Sequence, residues 1–236
     1  MQWDQINTNC YPEKISFVFI LIDPDNRKLD LFPTNSFSYL MTNTSEKNFR
    51  EGLTGAKVSR FLLLPFQPRC LKAYLAVKRF EDISIDLLLQ DGVKGVLLDA
   101  DGTLGPHHTR HYPDSVVAHV RQMVEKGLRV AIYTNSSNKL FQQFSGIEIV
   151  REAYPKPDPR GFETAMKNHL KLDDPSTVCM VGDNFVTDGG AISAGLRFVY
   201  VQPVKGNENI GHSFTRYLGT LCARLYYGDL FKDSRT

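Results

Sequence analysis

From Val93 onward, two patterns alternate along the chain. Short apolar runs bounded by polar turns read as buried strands, and stretches with apolar residues three and four apart read as helices. Val96 to Leu98 is the first such run, entered through the turn Gln90-Asp91-Gly92 and left through Asp99-Ala100-Asp101-Gly102-Thr103. Pro113 and Asp114 then open a helix carrying Val116, Val117, Val120, Met123 and Val124, stopped by Gly127. The same reading predicts strands over 129–134, 147–150, 177–181 and 197–201. It predicts helices over 138–144, 161–170, 187–194 and 214–227. In the last of these, Tyr217, Leu218, Leu221, Cys222 and Leu225 share a face. Strand and helix in strict alternation predict an α/β, doubly wound (Rossmann-like) parallel sheet.

The pattern is less regular before Val93. An apolar run over 61–65 leads to Pro65 and Pro68, and Leu87-Leu88-Leu89 fits a short helix packed on the core. In the first sixty residues only 15–22 reads as a strand, closed by Asp23-Pro24-Asp25-Asn26. The expected organisation is therefore an N-terminal extension over 1–60 and one large domain over 61–236.

Composition narrows the class. The chain has 236 residues, 42% hydrophobic and 23% charged, as expected of a globular protein. Its 28 basic and 26 acidic residues leave a net charge of +2, which gives no argument for nucleic acid as a partner. Cys10, Cys70, Cys179 and Cys222 follow no metal-ligand spacing, so a reducing compartment is expected. No apolar run is long enough to span a bilayer and no signal-peptide pattern opens the chain.

The chemistry concentrates where predicted strands end. Asp99 and Asp101 are two residues apart just after the 96–98 strand, so both carboxylates can reach one ligand. Such a pair needs a cation or a shared proton. That leaves three roles open: metal ligand, nucleophile and acid/base. A solvated Asp-x-Asp turn would look the same in isolation. Three further clusters follow in order, each after a strand or before a helix: Thr134-Asn135, Lys156 between two prolines, and Asp183 with Asp188. His107, His108 and His111 fall in a loop that fits a polar rim better than a metal site.

Asp-x-Asp-Gly-Thr, then Thr-Asn, Lys-Pro and Gly-Asp-x4-Asp, each in strand context over residues 93–201, resembles the haloacid dehalogenase (HAD) phosphohydrolases. Within them the chain is similar to the YqeG-like subgroup of subclass IIIA, which includes phosphatidylglycerophosphate phosphatases. The resemblance rests on Leu-x-Asp-Gly-Val-Lys-Gly, residues 151–157 and 182–188, and the basic tail helix. Two departures stand out. Gly102 occupies a position where the subgroup more often has Asn, and Gly189-Gly190 stand where a larger apolar residue is usual.

The resemblance implies roles for these residues. Asp99 would be the nucleophile that forms an aspartyl-phosphate, and Asp101 the general acid and base. Mg²⁺ would be held by Asp99, the Asp101 carbonyl and Asp183. Thr134, Asn135 and Gly102 would bind the phosphoryl group. Lys156 would offset negative charge, and Asp188 would orient Lys156 or a metal-bound water.

The same resemblance bears on access and substrate. Cap domains of this superfamily enter after the first motif or between the second and third, and 103–113 and 136–155 are too short for one. No large cap is expected, and the open site suits a phosphomonoester on a bulky carrier. The implied function is a Mg²⁺-dependent phosphomonoester hydrolase in phospholipid metabolism, acting on phosphatidylglycerophosphate at a membrane surface. The alternatives are a soluble phosphomonoester substrate, or a non-catalytic module on the same scaffold. The expected location is cytoplasmic, peripheral to the membrane, or on the mitochondrial matrix side in a eukaryote.

Overall fold

The computed structural model describes residues 55–136, 141–206 and 210–231. The strand expected over 15–22 and most of the 1–60 extension lie outside them. Six parallel strands form one sheet: β1 (Leu75–Val77), β2 (Gly95–Leu98), β3 (Arg129–Tyr133), β4 (Glu148–Val150), β5 (Val178–Gly182) and β6 (Arg197–Val201), in the order β1-β6-β5-β2-β3-β4. Around it lie α1 (Gly55–Leu63), α2 (Ile85–Gln90), α3 (Asp114–Glu125), α4 (Pro159–Thr164), α5 (Gly190–Ser193) and α6 (Ile210–Tyr226).

The apolar runs are continuous because both sheet faces are covered. Leu97, Met180, Phe198, Ala131 and Tyr133 point into one core layer, with Phe162, Phe185 and Ala223 from the helical side. Val96, Leu98, Cys179, Val181, Val199 and Ile132 point into the other, against Leu88, Val117, Val120 and Met123. The period-2 alternation of strand side chains thus splits each run between two cores.

The chain winds from β2 through β3 to β4 on one side, then returns through β5 to β6 on the other. The reversal falls at β2, which pairs with both β3 and β5. A doubly wound sheet leaves its ligand crevice at that switch point, beyond the strands' carboxyl ends. Asp99, Thr134 and Asp183 directly follow β2, β3 and β5.

Several elements differ from their expected limits. β1 has no sequence signature of its own and exists by pairing with β6, Leu75 opposite Val199. The helix expected over 187–194 is shorter: 184–189 form a turn and only α5 is helical. The helix expected over 161–170 starts earlier, where Asp158 caps it and Pro159 opens it, and widens into a π-turn over Ala165–His169. Of the helix expected over 138–144, residues 141–144 form no helix and 137–140 lie outside the described residues. The boundary expected after residue 60 falls inside α1. Its Arg60 is buried and donates to the carbonyls of Gly189 (2.6 Å) and Phe185 (3.4 Å) and to the Ser193 hydroxyl (3.0 Å).

In α6, Cys222 and Ala223 are buried, yet Tyr217, Leu221 and Leu225 face outward, contrary to a single inward apolar face. Among the described residues, no helix is long and apolar enough to cross a membrane.

Candidate active site

β2 is buried along its whole length and carries Asp99 out on the same side as Leu97. Its N–H still donates to the Val181 carbonyl of β5, so the sheet ladder fixes this residue's backbone (2.9 Å). The chain then turns through Gly102 at φ +84°, a left-handed conformation that suits glycine. A side chain at 102 would also strike Asp183 Oδ2. The close approach of this loop to β5 therefore explains the glycine where the resembling subgroup more often has Asn.

Lys156 joins the acids together. Its Nζ donates to Asp99 Oδ1 at 2.5 Å and to Asp188 Oδ1 at 2.6 Å, with all three side chains buried. Asp188 Oδ2 accepts from the Asn184 N–H at 3.1 Å, which closes the 184–189 turn and aims the carboxylate at Lys156. One oxygen each from Asp99, Asp183 and Asp188 lie within 4.8 Å of one another. Asp188 thus belongs to the acid cluster itself, while the Asp101 carboxylate is not part of that group. Asp101 is half-buried, and its Oδ1 accepts from the His108 N–H at 3.0 Å, which ties it to the histidine loop.

Asn135 is tied to the Lys156 loop. Its carboxamide accepts from the Lys156 N–H at 2.9 Å and donates to the Lys156 carbonyl at 3.1 Å. Both ends therefore clamp the lysine's main chain. Thr134 is buried at the end of β3, and its Oγ1 accepts from the Ser136 N–H at 3.0 Å.

Sequence reasoning missed one residue altogether. Arg216, buried on α6, donates from Nη1 to Asp183 Oδ2 at 2.8 Å. An isolated arginine in an amphipathic helix gives no signal of this kind, because its usual fate is solvent.

Electrostatics follow from this packing. Burial pushes the Asp99 carboxyl up to about 6, with Asp188 and Asp101 adding to the rise and Lys156 opposing it. Burial, then Asp188 and Asp99, also raises Asp183 well above the carboxylate range, against Arg216. Burial alone would lower Lys156, but Asp188 and Asp99 outweigh it and hold the ammonium above its ordinary value. The upward shifts of Asp99 and Asp183 mark more clustered acid than Lys156 and Arg216 offset, since with Asp99, Asp183, Asp188 and the nearby Asp101 all ionised two negative charges would be left over. A divalent cation would offset that charge, and the donors are hard oxygens of the type Mg²⁺ takes. The residues present therefore fit the metal.

A family model described as haloacid dehalogenase-like hydrolase matches residues 105–195. The chain is 29% identical over 145 residues to Probable phosphatase YqeG of Bacillus subtilis (strain 168), covering 59% of this chain and 82% of that protein. Together the two matches support a phosphatase of the haloacid dehalogenase type. The matched span takes in Thr134, Lys156, Asp183 and Asp188, and begins just past Asp99 and Asp101.

Two solved structures are loosely similar. The 3-deoxy-D-manno-octulosonate 8-phosphate phosphatase of Yersinia pestis has a TM-score of 0.38 and 17% identity, over 63% of this chain and 90% of that one. A HAD-superfamily hydrolase of Geobacter sulfurreducens PCA has a TM-score of 0.33 and 16% identity, over 56% and 97%. The family assignment rests on the sequence matches and the site, and the six-stranded parallel sheet carries the fold.

Proposed function

We propose that this HAD phosphatase is a Mg²⁺-dependent phosphomonoester hydrolase that works through an aspartyl-phosphate on Asp99. The single observation that carries the reading is the buried cluster in which Lys156 joins Asp99 to Asp188 beside Asp183. Asp99 is the nucleophile: a carboxylate oxygen attacks phosphorus and the bond to the leaving oxygen breaks. Asp101, held at the rim by the His108 N–H, gives its proton to that oxygen. A water then attacks the same phosphorus and loses its proton to Asp101. The bond to Asp99 breaks and phosphate leaves.

Lys156 keeps Asp99 ionised and offsets the charge that gathers on the phosphoryl oxygens. Asn135 holds Lys156 by its main chain. Thr134, at the end of β3, is placed to hydrogen-bond the phosphoryl group, with Gly102 leaving room for it. Mg²⁺, held by Asp99, Asp183 and the Asp101 carbonyl with Asp188 beside them, would supply charge neutralisation at the phosphoryl group.

For the substrate we favour a lipid phosphomonoester, phosphatidylglycerophosphate above all, met at a membrane surface. The short 103–113 and 136–155 connections support an open site. The outer face of α6 supports a surface contact: Phe214, Tyr217 and Leu225 are 58%, 66% and 76% exposed along one stripe, with Leu221 between them.

The mechanism is tested by quenching the enzyme in acid during turnover and mapping the phosphate by mass spectrometry. The expected result is an acid-stable, alkali-labile adduct on the peptide containing Asp99. A trapped phosphate on another residue would redirect the mechanism.

A further inference from the structure

Arg216 has no part in the mechanism above, yet it reaches the centre of the site from α6, outside the span matched by the family model. Its guanidinium donates to Asp183 Oδ2, and that oxygen also lies against the backbone of Gly102. Both side chains are nearly closed to solvent, at 11% and 5% exposure, so the pair is held in a setting where water competes weakly for either partner. Gly219, one turn further along α6, packs against Phe185 and Leu64 and fixes the helix against the 184–189 turn. The arginine is thus anchored from behind.

We propose that Arg216 is a specificity-determining positioning residue that limits Asp183 to one metal-binding oxygen and so selects Mg²⁺ over Ca²⁺. The proposal rests on the reading of Asp183 as a metal ligand. Oδ2 is held by Arg216, so Oδ1 is the Asp183 oxygen the proposal assigns to the metal. Mg²⁺ takes six oxygens at about 2.0–2.1 Å and accepts single oxygens from carboxylates. Ca²⁺ takes about six to eight at 2.3–2.6 Å and commonly draws both oxygens of a carboxylate. A guanidinium hydrogen-bonded to Oδ2 removes the second oxygen from reach. Its positive charge lowers affinity for either ion, so the ratio of affinities isolates the geometric effect.

The test is calorimetric titration of Mg²⁺ and of Ca²⁺ into metal-stripped full-length protein, comparing the unmodified protein with Arg216→Gln and Arg216→Lys. The expected result is that Arg216→Gln raises the Ca²⁺/Mg²⁺ affinity ratio by about tenfold. Arg216→Lys keeps one charged donor without the planar fork, so it is expected to fall between the other two. A ratio unchanged within about twofold in folded Arg216→Gln overturns the proposal while leaving the metal site intact. Should Arg216→Gln fail to fold, the lysine variant decides: a ratio shifted severalfold supports the proposal and a ratio equal to that of the unmodified protein overturns it. If the unmodified protein binds neither ion, the metal-site reading falls and this proposal falls with it. Asp183→Asn, expected to weaken both ions, separates these cases.

Discussion

Lys156 occupies a position few lysines occupy: buried, with two carboxylates and no solvent. Breaking a buried pair by removing one partner leaves charge uncompensated, at about 3–5 kcal/mol. Lys156→Met is expected to lose activity and to lower stability by about that amount, read from urea melts without added metal. The lysine was legible because it follows a strand end and lies between two prolines in the right order. The sequence singled out Asn135 but not its hold on the Lys156 main chain. Its clamp on Lys156 depends on how two loops meet, which no local pattern encodes. Asn135→Ala is expected to lower kcat by about ten- to a hundredfold, the scale of a small misplacement of a reacting group, with a smaller change in KM. Equal losses in Asn135→Ala at saturating and limiting substrate would agree with this, and a change in KM alone would not. Arg216 was illegible because its partner is 33 residues away and its own helix reads as an ordinary amphipathic surface.

Among the elements, the strands ending in polar clusters were legible because burial on both faces demands unbroken apolar runs. The short pieces were not. β1 is three residues long and defined by its neighbour, and α5 is four residues after a turn. The glycines at 189 and 190 explain that turn in part. A Cβ at Gly190 would lie 2.5 Å from the Pro157 carbonyl and 2.9 Å from the Phe162 ring, beside the Lys156 loop. Gly190→Ala is therefore expected to destabilise by about 1–3 kcal/mol through overpacking, measured by thermal or urea melts. In α3, His119 is half-buried with its ring edge-on to Phe80, and burial lowers its pKa below the ordinary value. The sign follows from linkage: as pH falls, the unfolded chain takes up the proton first. The stability His119 contributes is complete above its ordinary value of about 6.5 and is lost as pH falls toward the folded pKa. His119→Gln is expected to flatten the fall in melting temperature over that window, while an unchanged slope would assign the acid loss to other groups.

At the scale of the whole molecule, the open α/β architecture and the convergence of four polar clusters at one sheet edge were legible together. Strand order turns sequence separation into proximity at the switch point. The domain limit was less legible, because Arg60 ties α1 to the 184–193 segment. A protein beginning at residue 55 is expected to unfold cooperatively and to keep activity on a small phosphate ester. One beginning at residue 61 lacks Arg60 and is expected to be less stable by about 2–3 kcal/mol. Equal stability of the two would show that α1 contributes nothing to the domain. The outer stripe of α6 makes a second prediction: Leu225→Asp is expected to weaken sedimentation with anionic vesicles and to leave turnover of a soluble ester unchanged. The central claim is that phosphoryl transfer runs through Asp99 with Mg²⁺. It is tested most directly by phosphate release from a small phosphomonoester, comparing the unmodified protein with Asp99→Asn. The unmodified protein should turn over with Mg²⁺, stop with chelator and resume when Mg²⁺ is restored. Asp99→Asn should be folded and inactive, since an amide is not a competent nucleophile. Undiminished release by purified Asp99→Asn would contradict the account.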